Sequence, residues 1–216
     1  MSRIYRMFND RQDAGRVLAS ILAPYTMQDV VVLALPRGGI PVGREIATAL
    51  RAPLEALVVR KLGVPGHEEY AMGAIASGGQ VVIDENIVRM MGITPEQLED
   101  VATHERLELA RREHAYRNHC RTEIEGKTVI LVDDGIATGA TLRVALLAIR
   151  KRAPARVIAA VPVAPRSAFG RFDSLVDDFV VASSPTRFLA VGDAYQDFHQ
   201  VSDEEVRALL SLPIAK

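Results

Sequence analysis

The chain has 216 residues, 49% of them hydrophobic and 25% charged, and a formal net charge of −1 at neutral pH. That length suits one domain with embellishments, and an apolar half is enough for a substantial core. The balanced charge leaves no nucleic-acid footprint, no apolar run approaches the ~18 residues that span a bilayer, and the only cysteine, Cys120, excludes an internal disulfide framework and a multi-cysteine metal site.

The N-terminal stretch lacks the apolar core of a secretory signal, so a cytoplasmic protein is expected. Residues 10–22 read as a helix, with Ala14, Val17, Leu18, Ile21 and Leu22 on one face. Residues 29–35 form an apolar run ending in Pro36, Arg37, Gly38 and Gly39, which predicts a buried strand and a turn. Pro41 suits a first helical position, and Val42, Ile46, Ala49 and Leu50 continue that helix. A second strand over 54–59 is closed by Arg60 and Lys61. Strands alternating with helices argue for a parallel sheet.

That rhythm stops at residues 62–69, where Gly63, Pro65 and Gly66 predict a mobile loop. Residues 70–76 and 80–84 flank Gly78 and Gly79, a hairpin signal. Thr94, Pro95, Glu96 and Gln97 match a capping box with proline at the first helical position. They open a charged helix predicted to reach about His119, on the order of 25 residues and ~38 Å. Its apolar stripe (Leu98, Val101, Ala102, Leu109) is thin, which suits one-sided packing or dimerisation, and a homodimer is expected. Further strands are predicted over 129–132, 156–161 and 178–181, a weak helix over 167–175, and a terminal helix opened by a second capping box at Ser202 to Glu205. The apolar runs thus predict five core strands.

Residues 129–141 carry the most chemistry. Four apolar residues end in the adjacent acids Asp133 and Asp134; then come Gly135, Ile136, Ala137, Thr138, Gly139, Ala140 and Thr141, and an apolar-periodic helix over 142–149. In open α/β sheets ligands bind beyond the carboxyl ends of strands. A helix N-terminus presents free N–H groups and a positive dipole end, which suits phosphate. The acids repel phosphate but accept from vicinal sugar hydroxyls, so the pattern asks for a ribose phosphate.

This segment resembles the phosphoribosyl-pyrophosphate (PRPP) motif of type I phosphoribosyltransferases. The resemblance implies an α/β phosphoribosyltransferase-type fold: a mostly parallel central sheet with flanking helices, a flexible loop and hairpin, and a small C-terminal hood. It implies one such domain over 1–216, with core about 10–61 and 127–182, loop, hairpin and long helix about 62–122, and hood and terminal helix about 183–216. It implies Asp133 and Asp134 on the ribose hydroxyls and the loop Ala137 to Thr141, with Gly135 and Ile136 before it, around the 5-phosphate. Two positions depart from the family pattern: Gly135 stands where an apolar residue is usual, and Ala137 where a hydroxyl is common.

The turn Pro36, Arg37, Gly38 and Gly39 looks like the family's pyrophosphate loop, in which glycines let backbone approach and Arg37 forks onto phosphate oxygens. Arg60 and Lys61 could neutralise the leaving group. The 62–79 region sits where the family has a closing loop; His67, Glu68, Glu69 and Tyr70 within it receive no catalytic role. The tail 187–198 is similar to the hood of 6-oxopurine phosphoribosyltransferases, which implies Phe188 stacked on a base, with Val191 beside it, and Asp193 or Asp197 near magnesium through water. Phe188 lies one residue further from Val191 than in that pattern, and the alternative is that Phe188, Tyr195 and Phe198 pin the tail to the core. The histidines His104, His114, His119 and His199 show no His-x-x-x-His spacing, and no serine has a Gly-x-Ser-x-Gly context.

The expected function is transfer of the phosphoribosyl group from Mg-PRPP to a nitrogen nucleophile such as a nucleobase, with pyrophosphate released. Magnesium is expected to arrive with the substrate, and the partners are PRPP and a small-molecule acceptor, without nucleic acid or membrane. The rival readings are a non-catalytic PRPP sensor and a scaffold dimerising through the 95–119 helix.

Overall fold

Strands covered on both faces lose water on both sides and therefore read as unbroken apolar runs. The computed structural model, which describes residues 6–26, 28–116 and 122–214, turns the five predicted runs into one parallel sheet. Its strands are β1 (Val30–Ala34), β2 (Leu54–Ala56), β6 (Thr128–Val132), β7 (Arg156–Val163) and β8 (Asp178–Ser183), in the order β2-β1-β6-β7-β8. Every pair in it is parallel. Side chains alternate across a strand, so each run feeds two cores. Val30, Val32, Ile130 and Ile158 pack with α1 (Arg11–Ile21) and α2 (Gly39–Leu50). Val31, Leu33, Leu131 and Val157 pack with α5 (Ala140–Arg150) on the other face. Parallel pairing aligns the carboxyl ends of β1 and β6, so the 36–39 turn and the acidic loop open on one edge.

A second sheet corrects the expectation for residues 54–69. The second core strand stops at Ala56, and Arg60 and Lys61 lie inside β3 (Val59–Val64), which pairs antiparallel with β4 (His67–Ala76). The segment read as a loop is a bulged hairpin: Gly66 turns at φ 77°, and a Cβ on Gly63 would lie 2.7 Å from the Glu68 carbonyl oxygen. β5 (Gln80–Ile83) pairs with β4 across a three-residue turn, Ser77 to Gly79, in which Gly78 and Gly79 both take positive φ.

The short helix α3 (Glu85–Met90), capped by Asp84, has no clear sequence signal. α4 (Pro95–Ala115) starts at the Thr94–Gln97 capping box, with both reciprocal bonds made. It ends four residues before the predicted His119, which lies outside the described residues. α2 begins two residues before Pro41, which still sits in the first turn, where a missing N–H costs nothing. The helix expected over 167–175 reduces to a short 3₁₀ turn at Arg166–Ala168; Gly170 at φ 81° breaks it. α6 (Asp203–Ser211) starts where Ser202 accepts from the Glu205 amide. No helix among the described residues is long and apolar enough to cross a membrane.

Candidate functional site

β6 runs into Asp133 and Asp134, and the loop behind them turns at Gly139 (φ 76°) into the first turn of α5. A hollow of about 170 Å³ lies at that helix start, lined by Asp133, by residues 135–142 and by Val191. Its backbone donors and dipole favour an anion. Here Gly135 finds its reason. A Cβ there would overlap Val191, and Val163 Cγ1 would be 2.9 Å away. Val191, arriving from the C-terminal segment, fills the space that an apolar side chain at 135 would take. Gly139 is likewise pressed against Phe172, whose ring carbon would be 2.7 Å from an added Cβ.

The two acids differ in their surroundings. Asp133 is half-buried and lines the hollow at the start of α5; burial, and then the neighbouring Asp134 charge, hold its carboxyl well above the usual carboxylate range. The Asp134 amide donates to Asp133 Oδ1 at 2.9 Å. Burial also raises Asp134, opposed by Arg11, whose Nε donates to Asp134 Oδ2 at 2.8 Å. Arg11 is itself buried, its side chain only 7% exposed. Its Nη1 donates to the His199 carbonyl at 2.8 Å, and its guanidinium carbon lies 3.9 Å from the centre of the Phe198 ring. The Tyr195 hydroxyl donates to the Asp134 carbonyl. Gly38 lies so close to Asp134 that a Cβ would strike its carboxylate.

Sequence reasoning missed Arg11, and it gave Tyr195 the pinning of the tail but not the bond to Asp134. The signal for Arg11 was present: it falls on the buried face of α1 with Ala14, Gly15 and Leu18, where a charge needs a partner.

In the turn, the Pro36–Arg37 peptide is cis, and the Arg37 side chain reaches Asp203 at 3.8 Å. Arg37 lines one hollow with Arg111, Arg112 and Tyr116, and another with Arg11, Gly38 and Phe198. Arg60 lies across from α4, its Nε 2.6 Å from Glu105 Oε2. Arg60 and Lys61 nevertheless share a cavity of about 720 Å³ with Thr141 of the loop that enters α5.

The tail is bound to the core. Phe188 is half-buried against a cluster of Phe8, Ala14, Val163, Ala194 and Tyr195, and Phe198 stacks on Tyr195 with ring centres 5.0 Å apart. Asp193 accepts from the Ala190 amide. Asp197 accepts from the His199 amide, which with the His199 ring lowers its carboxyl below the ordinary value.

Comparison with known proteins places this geometry. The family described as "phosphoribosyl transferase domain" matches residues 3–187. A provisionally named phosphoribosyl transferase of Mycobacterium tuberculosis, Rv0571c, is 43% identical over 206 residues, covering 95% of this chain and 46% of that protein. The chain thus spans a little under half the length of the curated relatives it matches. The solved structure of TT1426 from Thermus thermophilus superposes with a TM-score of 0.85 at 41% identity, over 94% of this chain and 97% of that one. AQ2163 from Aquifex aeolicus shares the fold at 15% identity, with a TM-score of 0.51 over 93% and 86% of the two chains.

Proposed function

Because this chain belongs to the phosphoribosyl transferase domain family, we propose that it transfers the 5-phosphoribosyl group of Mg-PRPP to a nitrogen nucleophile such as a nucleobase. The observation that carries this reading is the hollow at the start of α5, with Asp133 on its rim and the Gly38–Gly39 turn on the same sheet edge. The 5-phosphate would sit on the backbone of Ala137 to Thr141, with Gly135 and Ile136 shaping the entry. The ribose would lie beside the acid pair. Pyrophosphate would face the 36–39 turn and Arg37, with Arg60 and Lys61 on the Thr141 side. Catalysis then comes from orientation and from stabilising a cationic sugar and a departing polyanion. No covalent nucleophile is required.

Among the described residues no three His, Cys, Asp or Glu side chains gather into a metal-holding group. The donor set at the strand end is one carboxylate pair, which fits a magnesium ion that brings most of its oxygen ligands on PRPP and water. The ion would supply charge neutralisation at the leaving group. Asp193 and Asp197, each already accepting a backbone amide, are the acids available to its water shell.

The test is pyrophosphate release from Mg-PRPP with a panel of purines, pyrimidines and small amines. Acceptor-dependent release supports transfer. The packing of Phe188 into the cluster around Phe8 favours the second reading, a PRPP sensor without a base slot. Tight PRPP binding with no release for any acceptor would select it.

A prediction follows for the leaving-group side. Arg37→Ala should weaken pyrophosphate binding by roughly tenfold or more, the worth of a hydrogen bond to a charged group, and spare ribose 5-phosphate. Asp203→Asn, which releases Arg37 from its carboxylate partner, should tighten pyrophosphate binding. Calorimetry with both ligands checks this; equal losses for both ligands in Arg37→Ala would move Arg37 away from pyrophosphate.

A further inference from the structure

We propose that a second anion site lies beside the 36–39 turn: a hollow between Arg37, Arg111 and Arg112 that takes one phosphate-sized oxyanion and draws on the same Arg37 that faces pyrophosphate. The coupling to pyrophosphate rests on the proposed reading of that turn; the hollow itself does not.

The hollow measures about 170 Å³ and is lined by Arg37, Arg111, Arg112, Ala115, Tyr116 and Asp203. It shares no lining residue with the hollow at the start of α5. Pockets that enclose larger organic ligands run to roughly 300–1,000 Å³, so this one suits a small ion. Cations in the last turn of a helix complement its dipole, and on that ground Arg112 alone needs no ligand. Here a guanidinium from the turn and the hydroxyl of the buried Tyr116 converge on the same space. Asp203, the first residue of α6, shows what they select. Its Oδ1 accepts from the Tyr116 hydroxyl at 3.2 Å and lies 3.8 Å from Arg37 Nη1.

That carboxylate fills the site only in part. At 3.8 Å Arg37 stands beyond hydrogen-bonding reach, and the Asp203 side chain is 42% exposed. Glu108 takes two nitrogens of Arg111 and the Nε of Arg112. Among the described residues, both Nη groups of Arg112 are left without a hydrogen bond. Three guanidinium groups are thus matched by two carboxylates, Glu108 and Asp203. Burial, then Asp203, raise the Tyr116 hydroxyl above its ordinary value, opposed by the charges of Arg112 and Arg37, which both reach it. A tetrahedral oxyanion offers several acceptors where Asp203 offers one oxygen, and guanidinium forks suit phosphate. Arg37 also lines the hollow beside Gly38 and Arg11. An oxyanion held between Arg37 and Arg112 therefore competes with pyrophosphate for one guanidinium, and each ligand weakens the other by the same factor.

The test is calorimetric titration of inorganic phosphate into the protein saturated with ribose 5-phosphate, which fills the hollow at α5. Arg112→Gln is expected to bind the further phosphate roughly tenfold more weakly. Asp203→Asn should bind it more tightly, because the internal competitor loses its charge. Arg106→Gln, on the same helix but paired with Glu99 outside the hollow, should match wild type. Phosphate should weaken pyrophosphate binding in wild type, and less so in Arg112→Gln. Unchanged phosphate affinity in Arg112→Gln, or an equal loss in Arg106→Gln, would overturn the site. Equal weakening of pyrophosphate in wild type and Arg112→Gln would overturn the sharing of Arg37. A wild-type protein that does not bind ribose 5-phosphate would instead sink the PRPP reading, and phosphate titrated alone into wild type and Arg112→Gln would still decide the hollow.

Discussion

Gly135→Val is expected to destabilise the fold by about 1–3 kcal/mol, the usual cost of forcing extra carbons into a packed site. The new side chain would meet Val191 and Val163. Val163 is buried at the end of β7, its carbonyl already held by the Ile136 amide, and has nowhere to go. Val191 sits on a half-buried 3₁₀ turn and is the side chain that must leave. Because Val191 also lines the hollow at the start of α5, proposed to hold phosphate, inorganic phosphate affinity should fall together with the melting temperature. Val191→Ala added to Gly135→Val should recover part of the lost stability, since the two side chains compete for one space. A Gly135→Val protein that melts like wild type would show that the C-terminal segment is not seated as described.

Asp133→Asn should stabilise the protein near neutral pH while removing ribose recognition. Burial and then the Asp134 charge raise the Asp133 carboxyl, opposed by the Asp134 amide hydrogen bond and then by Arg11. In the unfolded chain the group titrates at the ordinary carboxylate value. Between that value and the raised one the folded protein holds more protons, so stability falls as pH rises through this window, and the whole penalty is present above the raised value. An amide has no charge to bury. The variant should therefore melt above wild type at neutral pH, and the gap should close as pH drops through the raised value of Asp133. Stability gained where binding is lost is a familiar mark of functional residues. Melting curves across pH decide it, and a variant less stable than wild type at neutral pH would refute the buried-charge argument.

The parts of the fold that could be read ahead were those with two-sided burial or an explicit stop. β1, and β6 and β7 after their first residues Thr128 and Arg156, are apolar because both faces are covered. α4 announced its start through Thr94 and Gln97. The hairpin of β3 and β4 did not, because Gly63, Pro65 and Gly66 look the same in a coil as in a bulged turn. The strand end at Asp133 and Asp134 and the loop that leads from it into α5 were legible from local spacing. Arg11 and Tyr195 were not: they reach Asp134 across 123 and 61 residues, and only the folded sheet shows which charge on α1 meets which acid.

The bond from Arg11 to His199 spans 188 residues, which sets an order of events on the ribosome. The strands of the sheet, the acid pair and the loop into α5 are all translated before His199. Until then Arg11 lacks its second partner and Val191 and Tyr195 have not reached the strand end. The nascent chain thus has all its core strands before the 191–199 stretch closes the strand end at Asp134. A translation stop after β8 would leave every core strand present and the pocket unfinished.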